Sequence, residues 1–109
     1  MTADVYETVD GDAYVVEVPV PGVDVNDISV EATPDDLTVS IHPSARDGQP
    51  GRRYLHHEQD QAPMSRVFEF PTDVDPDNIS ATLQAGMLKI HVPKAAASRR
   101  RRIPLKQQA

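Results

Sequence analysis

The sequence predicts an all-β protein whose short strands form an antiparallel β-sandwich. Two features of the 109-residue chain predict this fold. First, its ten prolines are spread along the chain, which leaves few windows long enough for an α-helix because proline lacks a backbone N–H and clashes with the preceding turn. Second, apolar and polar residues alternate between turn residues with a period of two, as they do in half-buried strands. Many short strands joined by regular turns are typical of a sandwich.

The strand candidates follow one another along most of the chain. The runs are residues 13–20 (AYVVEVPV), 26–32 (NDISVEA), 36–43 (DLTVSIHP), 65–71 (SRVFEFP), 79–84 (ISATLQ) and 87–92 (MLKIHV). The last two are predicted to pair across Gln84-Ala85-Gly86. Gly86 supplies the positive φ that such a turn requires.

Composition excludes several classes of protein. The chain has no cysteine, which excludes disulfides, thiol catalysis and cysteine zinc sites. Its first residues are acidic and polar, so we predict no signal peptide and a cytoplasmic location. No apolar run approaches the about 20 residues that a membrane helix needs. No motif for a nucleotide, a catalytic serine or zinc is present, and we therefore predict no enzyme activity and no cofactor.

Charge is distributed unevenly along the chain, whose formal net charge is −6. Residues 1–45 hold ten acidic side chains and no Lys or Arg, and six of the eleven basic residues follow Pro93. An acidic body repels polyanions, so nucleic-acid binding is disfavoured. The run Arg99–Arg102 leaves three readings open: a solvated linker, steering toward an acidic protein surface, or nucleic acid.

A long segment interrupts the alternation between residues 43 and 65. A structureless loop of that length is unusual in a compact domain unless it has a function. It contains a strand candidate that could pair with its own sheet or reach the sheet of a neighbouring subunit. Its members are Arg53, Tyr54, Leu55, His56, His57 and Glu58. His56 and His57 are adjacent and would point to opposite faces of a strand, so we predict no metal site there.

The C-terminal tail carries two aliphatic residues on a charged background. Ile103 and Leu105 are two positions apart, so in an extended chain both side chains face one way. Pro104 between them favours the extended backbone and lowers the cost of ordering it on docking. This triplet is interpreted as an anchor for an apolar groove, and a frayed end with incidental apolar residues is the alternative.

Four landmarks in order make the chain resemble the bacterial small heat-shock proteins of the α-crystallin domain family. They are residues 16–31 (VEVPVPGVDVNDISVE), residues 64–71 (MSRVFEFP), residues 81–94 (ATLQAGMLKIHVPK) and Ile103-Pro104-Leu105. The third matches the family signature through Ala81, Gly86, Met87 and Leu88. The chain departs from the family pattern at its start, because only a very short arm precedes the first strand candidate.

The resemblance implies an immunoglobulin-like sandwich of the α-crystallin type over residues 1–94, followed by a flexible extension over residues 95–109. It implies a homodimer in which the 53–58 strand pairs with the 4–10 edge of the other subunit, and higher homo-oligomers through the anchor. The groove for the anchor and for clients is predicted between two strands, from Leu37, Val39, Ile41, Leu88, Ile90 and Val92.

The function implied by this resemblance is that of an ATP-independent holdase, which binds partly unfolded proteins and prevents their aggregation. Its partners would be unfolding client proteins, with no nucleic acid, membrane, metal or cofactor. The alternative is a co-chaperone or adaptor module resembling the p23-like proteins, which would bind one native partner as a monomer.

Overall fold

A computed structural model describes residues 2–43 and 63–98 as an all-β structure. It contains seven strands: β1 (Asp4–Glu7), β2 (Ala13–Pro19), β3 (Ile28–Ala32), β4 (Asp36–Ile41), β5 (Met64–Glu69), β6 (Ser80–Gln84) and β7 (Met87–Pro93). Three short 3-10 turns, Val25–Asp27, Pro76–Asn78 and Ala96–Ser98, complete the regular structure of the described residues. The predicted fold class is confirmed, and each segment predicted from the alternation contains a strand. The 53–58 candidate lies outside the described residues.

The strands form two antiparallel sheets. One sheet has four strands in the order β1-β2-β7-β6, and the other has three in the order β3-β4-β5. The central pair of the first sheet aligns Val16 with Ile90 and Val18 with Leu88. In the second sheet β4 lies between its neighbours and aligns Leu37 with Phe68. Among the described strands, β2, β7 and β4 are therefore internal, whereas β1, β6, β3 and β5 are edges.

The core lies between the inner faces of the two sheets. The alternation of every second residue turns the apolar set of each strand to one face. Its members are Tyr14, Val16, Val18, Val20, Leu37, Val39, Ile41, Phe68, Phe70, Val74, Leu88, Ile90 and Val92. Each fully buried aliphatic side chain contributes about 1.5–3 kcal/mol to folding relative to an exposed one.

Aromatic stacking joins the two sheets at one end of the core. The ring of Tyr14 in β2 stacks on that of Phe70, which directly follows β5, with 4.9 Å between ring centroids. The Tyr14 hydroxyl also lies 2.7 Å from the hydroxyl oxygen of Thr72. The residue after β5 therefore contacts β2 across the two sheets.

Aspartates cap the short turns that lead into the edge strands. The carboxylate of Asp24 accepts a hydrogen bond from the backbone N–H of Asn26, and Asp75 accepts one from Asp77. Capping of this kind is a common use of Asp before a helical turn. Asp24 and Asp75 are thus the N-caps of the Val25–Asp27 and Pro76–Asn78 turns.

Candidate functional site

All six residues predicted to line a groove lie in the core. Leu37, Val39 and Ile41 have no exposed surface, and Leu88, Ile90 and Val92 are at most 3% exposed. They belong to β4 and β7, which are internal strands. In the single chain these side chains pack the two sheets together, and their assignment to a groove stays a prediction.

The apolar residues that reach the margin of the sandwich belong to the edge strands β3 and β6. Ile28, Val30 and Ala32 on β3, with Ile79 and Leu83 at β6, are half-buried and pack against the core cluster. β3 and β6 are each the last strand of their sheet among the described strands, so these residues lie at the margins of the two sheets. Sequence reasoning recognised the alternation of Ile28 and Val30 but did not identify them as edge residues, because the order of strands is not a local property.

The turn between β6 and β7 brings two of the sequence landmarks together. Gly86 has φ of 74°, which confirms the prediction of positive φ, and Ala85 precedes it with φ of 51°. The carbonyl oxygen of Gly86 accepts a hydrogen bond from the backbone N–H of Val20 at 2.7 Å. A Cβ at Gly86 would lie 3.4 Å from the Cα of Pro21. The glycine thus permits both the turn and the close approach of the Pro21-Gly22 turn.

Strand β1 is an edge with one unpaired side among the described strands. Its four residues are all exposed, and it pairs on one side with β2, in a register that sets Tyr6 opposite Val15. The Tyr6 hydroxyl donates a hydrogen bond to Glu17 Oε1 at 2.6 Å, and this bond raises the pKa of Tyr6. The edge predicted over residues 4–10 is thus a strand over Asp4–Glu7, followed by a turn.

The turn after β1 is closed by side-chain hydrogen bonds. The hydroxyl of Thr8 and the backbone N–H of Asp12 both donate to Asp10 Oδ1, at 2.5 Å and 3.0 Å. These bonds lower the pKa of Asp10, the hydroxyl having the larger effect. Gly11 adopts φ of 76° within the same turn. The turn therefore determines where β1 ends and holds it alongside β2.

The edge strand β5 carries exposed apolar residues and one cation. Met64 and Val67 are exposed on opposite faces of the strand. The guanidinium carbon of Arg66 lies 4.9 Å from the centre of the Phe68 ring, in the range of a cation–π contact. Arg66 therefore covers part of the last buried aromatic side chain on this edge.

The remaining candidate residues are separated from these edges or lie outside the description. His42 and His91 are exposed, and within residues 2–43 and 63–98 no group of three His, Asp or Glu side chains is placed to hold a metal ion. No helix of the described residues is long and apolar enough to cross a membrane. The 53–58 strand candidate and the Ile103-Pro104-Leu105 anchor lie outside the described residues.

Comparison with known proteins identifies the protein family of this chain. The Hsp20/alpha crystallin family model matches residues 6–106. The chain belongs to that family. The predicted resemblance to small heat-shock proteins is therefore confirmed.

Curated relatives within the family are bacterial and plant stress proteins. The chain is 34% identical over 92 residues to spore protein SP21 of Stigmatella aurantiaca, 84% of the chain and 54% of that protein. It is 30% identical over 93 residues to 18 kDa antigen 1 of Mycobacterium intracellulare, a match that covers 85% of the chain and 61% of that protein. It is 34% identical over 83 residues to a 17.9 kDa class II heat shock protein of Glycine max, which covers 75% of the chain and 52% of that protein. The chain thus spans about half to three fifths of their length. One of the three names is that of a heat shock protein, and none of them names an enzyme.

Solved structures of small heat-shock proteins share the fold over nearly the whole chain. The protein from Xylella fastidiosa is 26% identical with a TM-score of 0.66, covering 97% of this chain and 95% of that one. Heat shock protein 16.0 from Schizosaccharomyces pombe is 26% identical with a TM-score of 0.70, covering 96% and 82%. The Xylella fastidiosa protein is described as having a distinct high-order structure.

Proposed function

We propose that this member of the small heat-shock family is an ATP-independent holdase. It binds partly unfolded proteins through apolar surface at the sheet margins and keeps them from aggregating. The observation that carries the proposal is the half-buried apolar set on the edge strands β3 and β6, where Ile28, Val30 and Leu83 pack on the core. In the proposal these two edges form one margin. A half-buried apolar margin is the kind of surface that another extended apolar segment can cover.

The mechanism is competition for that margin. In the resting assembly Ile103 and Leu105 from the tail of another subunit cover this margin. They lie above the predicted groove residues of β4 and β7. Two aliphatic side chains contribute about 3–6 kcal/mol on full burial, before the entropy of ordering the tail is subtracted. Such an anchor dissociates readily, and heat or a client favours the uncovered form. Several weak sites on one oligomer then act together on one client.

The assembly unit in this proposal is a homodimer formed by strand exchange. Residues 53–58 of one subunit pair with the free edge of β1 in the other, which protects two open edges at once. In this proposal the domain covers residues 1–94 and the C-terminal extension covers residues 95–109. The protein acts in the cytoplasm. The exposure of all four β1 residues and the absence of a second neighbouring strand among the described residues support this arrangement.

An aggregation assay tests the function. Light scattering follows the heat-induced aggregation of a model client with no nucleotide added, and the chain is expected to suppress it at near-stoichiometric concentration. Suppression that requires ATP, or no suppression by an intact oligomer, contradicts the holdase. A monomer that suppresses nothing and binds one native partner would favour the p23-like adaptor.

A second measurement tests the assembly. The intact chain is compared by light scattering with Ile103→Ala/Leu105→Ala and with a deletion of residues 52–58. The double substitution is expected to reduce the oligomer to dimers, and the deletion is expected to yield monomers. A dimer that persists in the deletion variant excludes strand exchange.

A further inference from the structure

Lys94 is the only Lys or Arg among the described residues with a buried side chain, and it lies next to the edge strand β1. Its side chain is 9% exposed, and its Nζ lies 3.5 Å from Glu7 Oε2. The same Nζ lies 4.9 Å from the centre of the Tyr14 ring. A buried ammonium requires compensating partners, because desolvation of the charge is costly. Glu7 and the face of Tyr14 are two of the partners that stabilise it.

The backbone around Lys94 fixes the position of this side chain. Its N–H donates to the carbonyl of Asp12 at 2.9 Å, in the turn between β1 and β2. Val74 forms an isolated antiparallel bridge with Lys94. Tyr14, which lies beneath the ammonium, is itself stacked on Phe70. Lys94 is therefore fixed by the turn before β2 and by the bridge to Val74, whereas Glu7 belongs to a strand with no buried residue.

The hydrogen-bond phase of β1 shows which of its residues face outward. Thr8 N–H donates to the carbonyl of Ala13 in β2 at 2.9 Å. In an antiparallel pair the backbone groups of alternate residues point the same way. Tyr6 N–H therefore faces β2, whereas the backbone N–H and C=O of Val5 and Glu7 face the free edge. Lys94 thus contacts the side-chain carboxylate of Glu7, and the backbone N–H and C=O of Glu7 face the free edge of β1.

We propose that Lys94 is the positioning residue of the β1 edge: through Glu7 it holds the strand where a second copy of this chain can pair with it. The part of this inference that concerns pairing with a second copy rests on the proposed strand-exchange dimer. The part that concerns the contact of Lys94 with Glu7 on β1 does not. Without the Lys94–Glu7 contact, β1 is retained by its ladder with β2 and by the bond from Tyr6 to Glu17. Loss of the contact is therefore expected to loosen the end of β1 and to weaken pairing.

Residue-resolved hydrogen exchange on the full-length chain tests the hold on β1. Glu7→Gln keeps the shape of an exposed side chain and removes its charge, and is expected to raise the exchange rate of the Tyr6 amide about three- to tenfold. Lys94→Met is expected to raise it at least as much, and the double variant not to exceed Lys94→Met, because the contact that Glu7→Gln removes is already lost in Lys94→Met. Glu31→Gln, the same change on β3, is the matched control and is expected to have no effect.

Unchanged exchange of Tyr6 in Glu7→Gln overturns the proposal, and so do additive effects in the double variant. Because Glu7 is exposed, Glu7→Gln is expected to fold. It therefore tests the proposal even if Lys94→Met fails to fold. The dimer dissociation constant, from sedimentation, is expected to rise about three- to tenfold in Glu7→Gln. If it stays unchanged while Tyr6 exchanges faster, Lys94 holds the strand but does not support pairing, which also overturns the proposal.

The same data separate this inference from the proposed dimer. In a strand-exchanged dimer the Val5 and Glu7 amides are protected in the unmodified chain. If they exchange freely and the chain sediments as a monomer, strand exchange fails, and with it the pairing part of the inference. The Tyr6 amide then still decides whether Lys94 holds β1.

Discussion

Tyr14 and Phe70 stack across the two sheets with 4.9 Å between ring centroids and an interplanar angle of 16°. Tyr14 belongs to β2 of the four-stranded sheet, and Phe70 follows β5 of the three-stranded one. Both are at least 92% buried, since their exposures are 3% and 8%. The hydrogen bond between Tyr14 and Thr72 anchors the ring in this position. This contact joins the two sheets at one end of the core.

The first prediction concerns this contact. Phe70→Ala removes a buried ring and is expected to lower the free energy of unfolding by about 3–5 kcal/mol. Tyr14→Phe removes only the hydroxyl and is expected to cost about 1 kcal/mol. Urea unfolding at one fixed protein concentration measures both. Tyr6→Phe, which removes an exposed hydroxyl, is the control. A loss below 1 kcal/mol in Phe70→Ala would show that the stack does not hold the sheets together.

The second prediction concerns the turn before β7. Ala85 adopts a left-handed conformation that is costly for a residue with a Cβ, and Asn tolerates it better, especially before Gly. Ala85→Asn is therefore expected to stabilise the domain by about 0.5–1 kcal/mol, seen as a rise in Tm of about 2–8 °C. Ala81→Asn, on the exposed strand β6, is the matched control and is expected to be neutral or destabilising. Equal effects of the two substitutions would refute the explanation.

The third prediction concerns the margin between β3 and β6. Val30→Ser removes a half-buried apolar contact and is expected to weaken anchor and client binding about fivefold, because about 1 kcal/mol of burial is lost. The measurement is the amount of chain needed to suppress aggregation of a model client, with oligomer size measured in parallel. Val25→Ser, at a valine that is 61% exposed, is the matched control. If both variants behave alike, the margin is not the binding surface.

The fourth prediction concerns pH and Tyr6. The hydrogen bond donated to Glu17 raises the pKa of Tyr6, so the neutral phenol is favoured in the folded chain. A raised pKa contributes stability that is fully present below the unfolded value of about 10 and is lost as pH rises through the folded value. The phenolate absorbance of the chain minus that of Tyr6→Phe is expected to titrate above pH 10.

Glu17→Gln provides the control for the fourth prediction. The amide still accepts a hydrogen bond but carries no charge to oppose the phenolate. The Tyr6 titration is therefore expected to move back toward its ordinary value. If the titration does not move, the Glu17 carboxylate is not the cause of the raised pKa.

Local patterns predicted the strands and the inner faces correctly. Residues 13–20 were predicted to form a half-buried strand, and Tyr14, Val16 and Val18 of β2 are buried. Gly86 was expected at positive φ and adopts it. Both follow from properties of a few consecutive residues: side chains alternate along any strand, and a tight turn needs a residue without a Cβ penalty.

The groove shows where such reasoning ends. Leu37 and Leu88 are predicted to line it, and in the single chain both lie in the core on internal strands. Their assignment to a groove stays a prediction. Alternation shows that a strand has one buried face and does not show whether it has one neighbour or two. Lys94 was similarly counted as the last residue of the domain, and no pattern in sequence indicated its burial against Glu7 and Tyr14.

The amino-acid sequence by itself determined the all-β class, the strand positions, the core-facing residues and the family, because these depend on stereochemistry and hydrophobic period over short segments. Only the tertiary structure decided which strands are edges, which apolar residues reach the margin, and that Lys94 holds Glu7. Those outcomes depend on pairing between segments far apart in the chain. Such pairing is selected by the total burial and hydrogen bonding of the whole sandwich, which no single segment encodes.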